Sequence, residues 1–308
     1  MKAVYIDSHG GPEMMRYGDL ADPVAGAGEV VIDVHAASIN AADWKSRRGL
    51  YHQAQDFPHV LGRDFSGVVG EVGEGVDDLL PGEAVFGVCE LGREGAYAEK
   101  IAVASAIVAP KPDSISHTEA AAVALAGLTA VVAIEDTLRL KPDETILVQG
   151  GAGGVGSFAV QLAKHIGAHV ITTARTVNHD YVRGLGADQA IDYEGRDFTR
   201  EVADCDAVFD TVGGSVAVAS FSVLKPGGRA AFIASGVEAP ASTRDDVVAL
   251  RPHVGRRRAH LERIVDLIDT GAVRVPEIEV YPLPAAGHAH AVSEARHVRG
   301  KLVLQVRD

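Results

Sequence analysis

The stretch TILVQGGAGGVGSFAVQLAK, residues 145–164, decides the fold of the second half of the chain. Residues 145–149 are a short apolar run that favours a buried parallel strand, and the apolar spacing beyond residue 156 predicts a helix facing a sheet. Between them stands G-x-G-x-x-G, where the backbone can approach a pyrophosphate and meet its charge with free N–H groups and the helix dipole. Gly-rich turns also occur for conformational reasons alone, so the flanking strand and helix carry the prediction. The predicted phosphate cradle is Gly151, Ala152, Gly153, Gly154, Val155 and Gly156.

Strands and helices alternate beyond the phosphate cradle, which predicts a parallel, doubly wound sheet. The predicted strands are 169–174, 189–192, 207–212 and 229–235, and the predicted helices are 178–185 and 215–224, with a turn at 225–228. A helix over 119–134 precedes the cradle, and another near 259–270 follows the sheet.

The first third of the chain has a different texture. Short β-prone runs separated by Gly, Pro and Asp predict a barrel-like or sandwiched antiparallel unit, with strands at 2–6, 29–37, 67–72, 84–88 and 97–103. Near the end, strands at 277–282 and 301–306 flank a helix near 285–296, and residues 242–246 are predicted as a mobile loop. The predicted fold class is α/β, a β-rich domain plus a doubly wound parallel-sheet domain.

Composition narrows the possible partners. The 308 residues are 47% hydrophobic, enough for two domains with large cores. The formal net charge of −13 argues against a nucleic-acid or anionic-membrane partner, because both need a basic face. The basic cluster Arg256–Arg258 is predicted as a solvated turn. Two distant cysteines give no disulfide framework, and we predict no apolar run long enough to span a bilayer, so a soluble, cytoplasmic protein is expected.

Nine motifs connect the chain to a known family. They are AASINAADWKSRRG (36–49), VLGRDFSGVVGEVG (60–73), LLPGEAVFGV (79–88), GAYAEKIAV (95–103), the phosphate cradle with its helix, LGADQAIDY (185–193), FDTVGG (209–214), LKPGGR (224–229) and GKLVL (300–304). In these the chain resembles the medium-chain dehydrogenase/reductases, specifically the zinc-free quinone oxidoreductase-like branch. The resemblance implies a GroES-like catalytic domain at 1–118 and 273–308, a Rossmann NADP-binding domain at 119–272, and a homodimer.

The zinc-dependent relatives provide a test for a metal, because zinc needs thiolate, imidazole or carboxylate ligands. The positions resembling the first two ligands hold Asn40 and Arg63, and Asp64 follows. A fixed cation disfavours a second cation beside it, and the four-cysteine loop of the structural site is absent. His288 and His290 are predicted to lie at the surface. The sequence therefore predicts no metal.

Candidate catalytic residues come from residues 39–53, which in the family border the nicotinamide and the substrate. Asn40 either orients the nicotinamide ribose or hydrogen-bonds the acceptor, or it is only a turn residue. Lys45 either pairs with the cofactor or a developing oxyanion, or it is a solvated charge. Tyr51 is a proton donor or a stacking wall, or it packs a loop. Asp43 is expected to hold the loop against Arg47 or Arg63.

The choice of cofactor is read from HVITTAR, residues 169–175, at the end of the second strand. NAD-binding units carry a carboxylate there for the ribose 2′-hydroxyl, whereas this chain has Arg175. A guanidinium fork favours the 2′-phosphate of NADPH, unless Arg175 points into solvent, and Thr173 and Asn178 are expected to add neutral hydrogen bonds. The other predicted cofactor contacts are Thr129, Val212, Gly213, Ala234, Ser235, Gly236 and Lys301, with a surface position as the alternative for Lys301.

These predictions favour one chemistry. Alcohol oxidation without zinc lacks its usual Lewis acid, whereas hydride transfer to an electron-poor acceptor stays open. The leading hypothesis is an NADPH-dependent, zinc-independent reductase of quinones or α,β-unsaturated carbonyl compounds. The alternatives are an enoyl reductase in a biosynthetic pathway and a non-catalytic NADPH-binding protein.

Overall fold

A computed structural model describes residues 1–51, 56–236 and 238–307, so residues 52–53 of the predicted catalytic segment lie outside the described residues. The strands are β1 (Lys2–Ile6), β2 (Met15–Asp19), β3 (Glu29–Ser38), β4 (His59–Val60), β5 (Asp64–Val72), β6 (Ala84–Val88), β7 (Lys100–Ala104), β8 (Val108–Pro110), β9 (Thr145–Gln149), β10 (His169–Ala174), β11 (Gln189–Asp192), β12 (Cys205–Asp210), β13 (Leu224–Phe232), β14 (Val248–Leu250), β15 (Ile278–Pro282) and β16 (Lys301–Gln305). The helices are α1 (Ala41–Arg47), α2 (His117–Val131), α3 (Gly154–Ile166), α4 (His179–Gly184), α5 (Gly214–Ala219), α6 (Arg258–Asp269) and α7 (Ala286–Glu294), and a π-helical turn over Val132–Thr137 continues α2.

Unit 1 comprises Met1–Leu125, Arg256–Asp269 and the chain from Glu277 onward. Its larger sheet has the order β15-β16-β3-β5-β6-β8, with β7 also paired to β3, and its smaller sheet has the order β2-β1-β4. The larger sheet is antiparallel except where β15 pairs with β16. Alternating β-branched residues of β3, such as Ile32 and Val34, are fully buried in its core.

Unit 2 comprises Ala126–Gly255 and Thr270–Pro276. Its six strands are all parallel, in the order β11-β10-β9-β12-β13-β14. This is the order of a dinucleotide-binding sheet, and its topological switch point lies where β9 meets β12. Residues 146–148 of β9 are fully buried, as expected for a strand with helices on both faces. The predicted fold class is confirmed.

Most predicted elements coincide with observed ones, and five strands have identical bounds: β1, β6, β9, β10 and β11. The predicted turn at 225–228 is wrong. Those residues form a bulge inside β13, where Gly227 has a φ of +78° and the register with β12 shifts between Cys205 and Ala207. Short elements were missed, namely β2, β4, β8, β14 and α1, because two to seven residues give little periodic signal.

Two expectations from composition need correction. We predicted no apolar run long enough to span a bilayer, but the helical residues His117–Thr137 are long and apolar enough to do so by length and composition. Of the 18-residue window that meets this criterion, 78% is buried inside the protein, as in a core helix. The arginines at 256–258 are not all solvated. Arg256 Nε donates to the Cys89 carbonyl at 3.1 Å, and Arg258 pairs with Asp78.

The boundaries of unit 1 differ from the predicted domain boundary near α6. We predicted this helix within the Rossmann domain, whereas it clusters with unit 1. A guanidinium nitrogen of Arg258 donates to the Ser105 carbonyl at 2.7 Å, which ties the start of α6 to the segment before β8. The amphipathic pattern of α6 predicts a helix but not the sheet that it covers.

Candidate functional site

The phosphate cradle links β9 to α3, and its three motif glycines answer different constraints. A Cβ at Gly151 would lie 2.0 Å from Thr172 Oγ1, and a Cβ at Gly156 would lie 2.1 Å from the Gly150 carbonyl oxygen. Gly153 is different, because a Cβ there would meet only the Gly150 oxygen at 3.6 Å and its φ is −79°. The fold therefore needs glycine at 151 and 156, whereas the space beside the backbone at 153 is open and the protein itself does not require glycine there.

Thr173 supports the cradle from the neighbouring strand. Its hydroxyl donates to Gln149 Oε1 at 2.7 Å and accepts from the Gly150 N–H at 3.0 Å. The side chain is buried, and its one donor is used within the protein. We predicted that Thr173 would hydrogen-bond a cofactor phosphate, whereas the structure shows it shaping the loop.

Arg175 stands at the end of β10, as predicted, and is half-buried. No carboxylate within the described residues forms an ion pair with it. Burial raises the pKa of Tyr193, and the positive charge of Arg175 opposes this shift. With no carboxylate partner among the described residues, the guanidinium keeps its capacity for an anion. Asn178 is buried nearby, with its backbone N–H bonded to the Arg175 carbonyl at 2.8 Å.

The predicted contacts after β12 and β13 lie at the carboxyl ends of these parallel strands, where ligands bind in such sheets. The buried Asp210 carboxylate accepts from the N–H groups of Val212 at 3.2 Å and Gly213 at 2.9 Å, which fixes that turn. Ser235 Oγ is buried without a hydrogen-bond partner in the described part of the chain. The remaining predicted contacts of unit 2 are Thr129, buried in α2, and Ala234 and Gly236, which flank Ser235.

Unit 1 contains a charged cluster, which we define as Asp43, Arg63, Asp64, Glu94 and Lys301. Arg63 contacts Glu94 at 2.6 Å and Asp43 at 3.4 Å, and all three side chains are at most 3% exposed. Lys301 is buried rather than at the surface, and its Nζ donates to the Ile39 carbonyl at 2.8 Å and to Asn40 Oδ1 at 2.7 Å. Burial lowers the pKa of Lys301, and the charge of Asp64 opposes this shift.

Asn40 is the N-cap of α1 and is held by the charged cluster. Its Nδ2 donates to Asp64 Oδ2 at 3.1 Å and to the Ser38 carbonyl at 3.3 Å, so both amide protons are used. Its Oδ1 accepts from Lys301, and the capping box of α1 brings the same side chain to the Asp43 backbone N–H. Asn40 therefore has no spare proton for an acceptor oxygen. It bonds its local backbone, as the turn-residue alternative expects, and two charged side chains as well.

A second chain of polar contacts runs from the cluster to α7. Tyr97 donates to Asp43 Oδ2 at 2.9 Å, and His290 Nε2 lies 3.2 Å from the same hydroxyl. His290 Nδ1 lies 3.4 Å from Arg47, which also pairs with Glu294. Burial raises the pKa of Asp43 to about 6 and lowers that of His290 to about 3. The prediction of a surface position is therefore wrong for His290, whereas His288 is exposed.

The structure places Asn40, Lys45 and Tyr51 along α1: at its N-cap, within it and just after its end. Lys45 is half-buried on α1, with Nζ 5.7 Å from the centre of the Trp44 ring. Tyr51 follows α1, is 37% exposed, and has the Arg63 guanidinium 4.8 Å from its ring centre. Sequence reasoning missed Glu94, Tyr97 and Glu294, named Arg47 only as an alternative partner of Asp43, and placed His290 at the surface.

The residues at the zinc-ligand positions do not fit zinc. Asn40 provides an amide already bonded to an ammonium, and Arg63 places a second fixed cation beside Asp64. Burial raises the pKa of the Cys89 thiol, whereas zinc binds the thiolate. Within residues 1–51, 56–236 and 238–307, no group of three His, Cys, Asp or Glu side chains has metal-ligand geometry.

Comparisons with known proteins give the family. The alcohol dehydrogenase GroES-like domain matches residues 26–113, and the zinc-binding dehydrogenase family matches residues 185–304. A solved quinone oxidoreductase from Coxiella burnetii is 34% identical, with a TM-score of 0.93 over 100% of this chain and 99% of that one. The NADPH-dependent alkenal/one oxidoreductase of Arabidopsis thaliana is 33% identical over 99% of this chain and 79% of its own length.

A solved quinone oxidoreductase from Escherichia coli, complexed with NADPH, is 27% identical, with a TM-score of 0.91 over 99% of this chain and 100% of that one. The likeness extends through both units, and it agrees with the phosphate cradle in unit 2 and with the motifs around the charged cluster in unit 1. This chain belongs to the medium-chain dehydrogenase/reductase superfamily, in its quinone oxidoreductase-like branch.

Proposed function

We propose that the protein is an NADPH-dependent, zinc-independent reductase that transfers hydride to quinones or α,β-unsaturated carbonyl compounds. The observation that carries the proposal is the charged cluster. It places the cations of Arg63 and Lys301 beside the positions where zinc-dependent relatives hold metal ligands. The names of the similar proteins from Coxiella burnetii and Arabidopsis thaliana support the two acceptor classes.

The residues that would hold NADPH supply complementary chemistry. The phosphate cradle offers the N-terminus of α3 and the open space at Gly153 to a pyrophosphate. Arg175 offers a guanidinium without an ion-pair partner in the described chain to the 2′-phosphate. When bound, the cofactor supplies the hydride.

Around the acceptor, this chain's residues bind and orient. Asn40 Oδ1 holds the Lys301 ammonium, which has a third proton for which no acceptor appears among the described residues. Lys45 is the candidate on α1 for an oxyanion, since this residue is only half-buried. A conjugated acceptor delocalises the charge that develops during reduction, so preorganised hydrogen bonds suffice without a Lewis acid.

The test is turnover with NADPH and NADH against a panel of quinones, enals, enones and simple alcohols, before and after exhaustive chelation with elemental analysis. We expect oxidation of NADPH with quinones or enones and no alcohol oxidation. The rate should be unchanged by chelation, and stoichiometric zinc should be absent, because Asn40 and Arg63 put an amide and a cation where zinc would need ligands.

Each contrary result has a distinct meaning. Activity lost together with one zinc per chain would overturn zinc independence. A wild-type preference for NADH would overturn the choice of cofactor. Tight NADPH binding without turnover on any acceptor would favour a non-catalytic NADPH-binding protein.

A further inference from the structure

We propose that Arg63 is a positioning residue that acts through the ring of Tyr51, and that this ring is one wall of the acceptor site. The inference rests on the proposed function and adds a specific contact to it. It begins from a pair whose members have opposite surroundings: a buried, multiply anchored guanidinium and a partly exposed aromatic ring.

Arg63 has little freedom to move. It is 2% exposed, and one of its terminal nitrogens lies 2.6 Å from a Glu94 oxygen and 3.0 Å from Ser46 Oγ. Its Nε lies 3.4 Å from an Asp43 oxygen. These contacts all use the edge of the guanidinium plane, so its flat face remains for stacking.

Tyr51 lies on the segment that follows α1, where the N–H groups of Gly49 and Leu50 donate to the Ser46 and Lys45 carbonyls at 2.8 Å. The Tyr51 ring centre is 4.8 Å from Arg63 Cζ, within the range of a cation–π contact. Arg63, which three partners fix, therefore gives this ring a defined surface to stack on.

The contact also changes what the other face of the ring presents. Hydride addition to a conjugated carbon moves an electron pair onto the acceptor oxygen, and a bare aromatic face repels that charge because its quadrupole is negative there. A guanidinium behind the ring offsets the repulsion. Burial lowers the pKa of Arg256, and the positive charge of Arg63 lowers it further, so these two cations influence each other. Glu94 and Asp43 weaken the field at the guanidinium edge, so the expected effect is modest.

The experiment is a double-mutant cycle on NADPH-dependent reduction of a quinone and an enone. One arm is Tyr51→Leu. The other is Arg63→Met with Glu94→Gln, which removes the guanidinium together with the charge of Glu94, while Asp43 keeps its hydrogen bond from Tyr97. Each arm should lower kcat for the acceptor by about 3- to 30-fold, as a cation–π contact predicts, with the KM for NADPH unchanged.

Combining the arms should give no further loss beyond Tyr51→Leu, because Arg63 acts only through the ring. If the wild type is active and the two losses of kcat multiply in the combined variant, the inference is overturned and the proposed function stays intact. A wild type without turnover would overturn both. If the Arg63→Met, Glu94→Gln variant melts before the assay temperature, Arg63→Lys replaces it. Lysine keeps the charge but not the stacking plane, so wild-type kcat in this variant would also overturn the inference.

Two control variants separate this role from general effects of mutation. Tyr17 is an exposed tyrosine of unit 1 beneath Lys2, with Nζ 6.0 Å from its ring centre, and Tyr17→Leu should leave kcat unchanged. Tyr51→Phe keeps the ring and loses the hydroxyl, so it should lower kcat much less than Tyr51→Leu. An equal loss in these two Tyr51 variants would assign the effect to the hydroxyl and contradict the proposal.

Discussion

The phosphate cradle of unit 2 and the charged cluster of unit 1 are built on opposite principles. The cradle is six consecutive residues, 151–156, and offers backbone groups and an open space. The cluster combines five ionisable side chains from separate segments of unit 1, all buried or nearly so. A backbone site depends on where side chains are absent, whereas a side-chain site depends on every charge keeping its partner.

The largest expected effect tests the cradle. Gly153→Val should weaken NADPH binding by about 100-fold or more, because a side chain in the open space forfeits charge-assisted bonds of about 1.5–3 kcal/mol each. The fold should survive, since the nearest atom to a Cβ there is 3.6 Å away. Isothermal titration with NADPH, together with thermal unfolding, measures both quantities.

Two other glycines sharpen this test. Gly156→Ala should lower the melting temperature, because its Cβ would lie 2.1 Å from the Gly150 carbonyl oxygen. Gly195→Val, in an exposed turn with only an Asp192 oxygen nearby at 3.4 Å, should change neither quantity. Wild-type affinity in Gly153→Val would mean that the cradle does not bind the pyrophosphate.

An intermediate effect is expected at Arg175, the charged neighbour of the cradle. Arg175→Ala should raise the KM for NADPH by about 10- to 100-fold, the value of one charge-assisted contact, and leave the KM for NADH nearly unchanged. Steady-state kinetics with both cofactors measures the difference. Arg183→Ala is the control, because that exposed arginine already pairs with Asp180 at 3.5 Å. Equal losses with the two cofactors would show that Arg175 does not contact the 2′-phosphate.

The smallest effect at neutral pH concerns the polar contacts beside the cluster, and it grows as the pH falls. His290 has a pKa of about 3 in the folded protein, against an ordinary value of 6.5, because burial and the Arg47 charge disfavour its cation. The unfolded chain therefore binds more protons between these values, and the stability present above pH 6.5 is lost as the pH falls toward 3. His290→Gln, which keeps a donor and an acceptor, should remove this loss.

Urea unfolding at pH 7, 6, 5 and 4 measures the effect. The free energy of unfolding of the variant relative to the wild type should rise by about 1.4 kcal/mol per pH unit below pH 6. The exposed His288 provides the control, since His288→Gln should leave the pH dependence as in the wild type. Parallel curves for wild type and His290→Gln would contradict a buried neutral imidazole.

The sequence predicted the cradle well because its information is local. A strand, three glycines at fixed spacing and a helix specify one another within twenty residues, and β9 was predicted to the residue. The sequence did not show which glycines the fold itself requires. That distinction depends on Thr172 and on the Gly150 carbonyl, which approach only after β9 and β10 pair.

The charged cluster could be predicted only in part. The motif at residues 60–73 indicated that Arg63 replaces a ligand, and Asp43 was expected to contact an arginine. Glu94, Tyr97 and His290 come from other segments, and their meeting depends on the path of the chain between β6 and β7 and on which face of α7 turns inward. The buried position of Lys301 was likewise hidden, because a lysine at a strand start is ordinarily exposed.

The order of strands in the larger sheet of unit 1 has a consequence for biosynthesis. β16 pairs with β3, so the ribosome must translate all of unit 2's main segment before the strand carrying Lys301 can join its neighbour. The parallel sheet of unit 2 has all six of its strands earlier, between Thr145 and Leu250. During synthesis, unit 2 has its complete sheet available first, and the Asn40 cap waits for its ammonium partner until residue 301 has been translated.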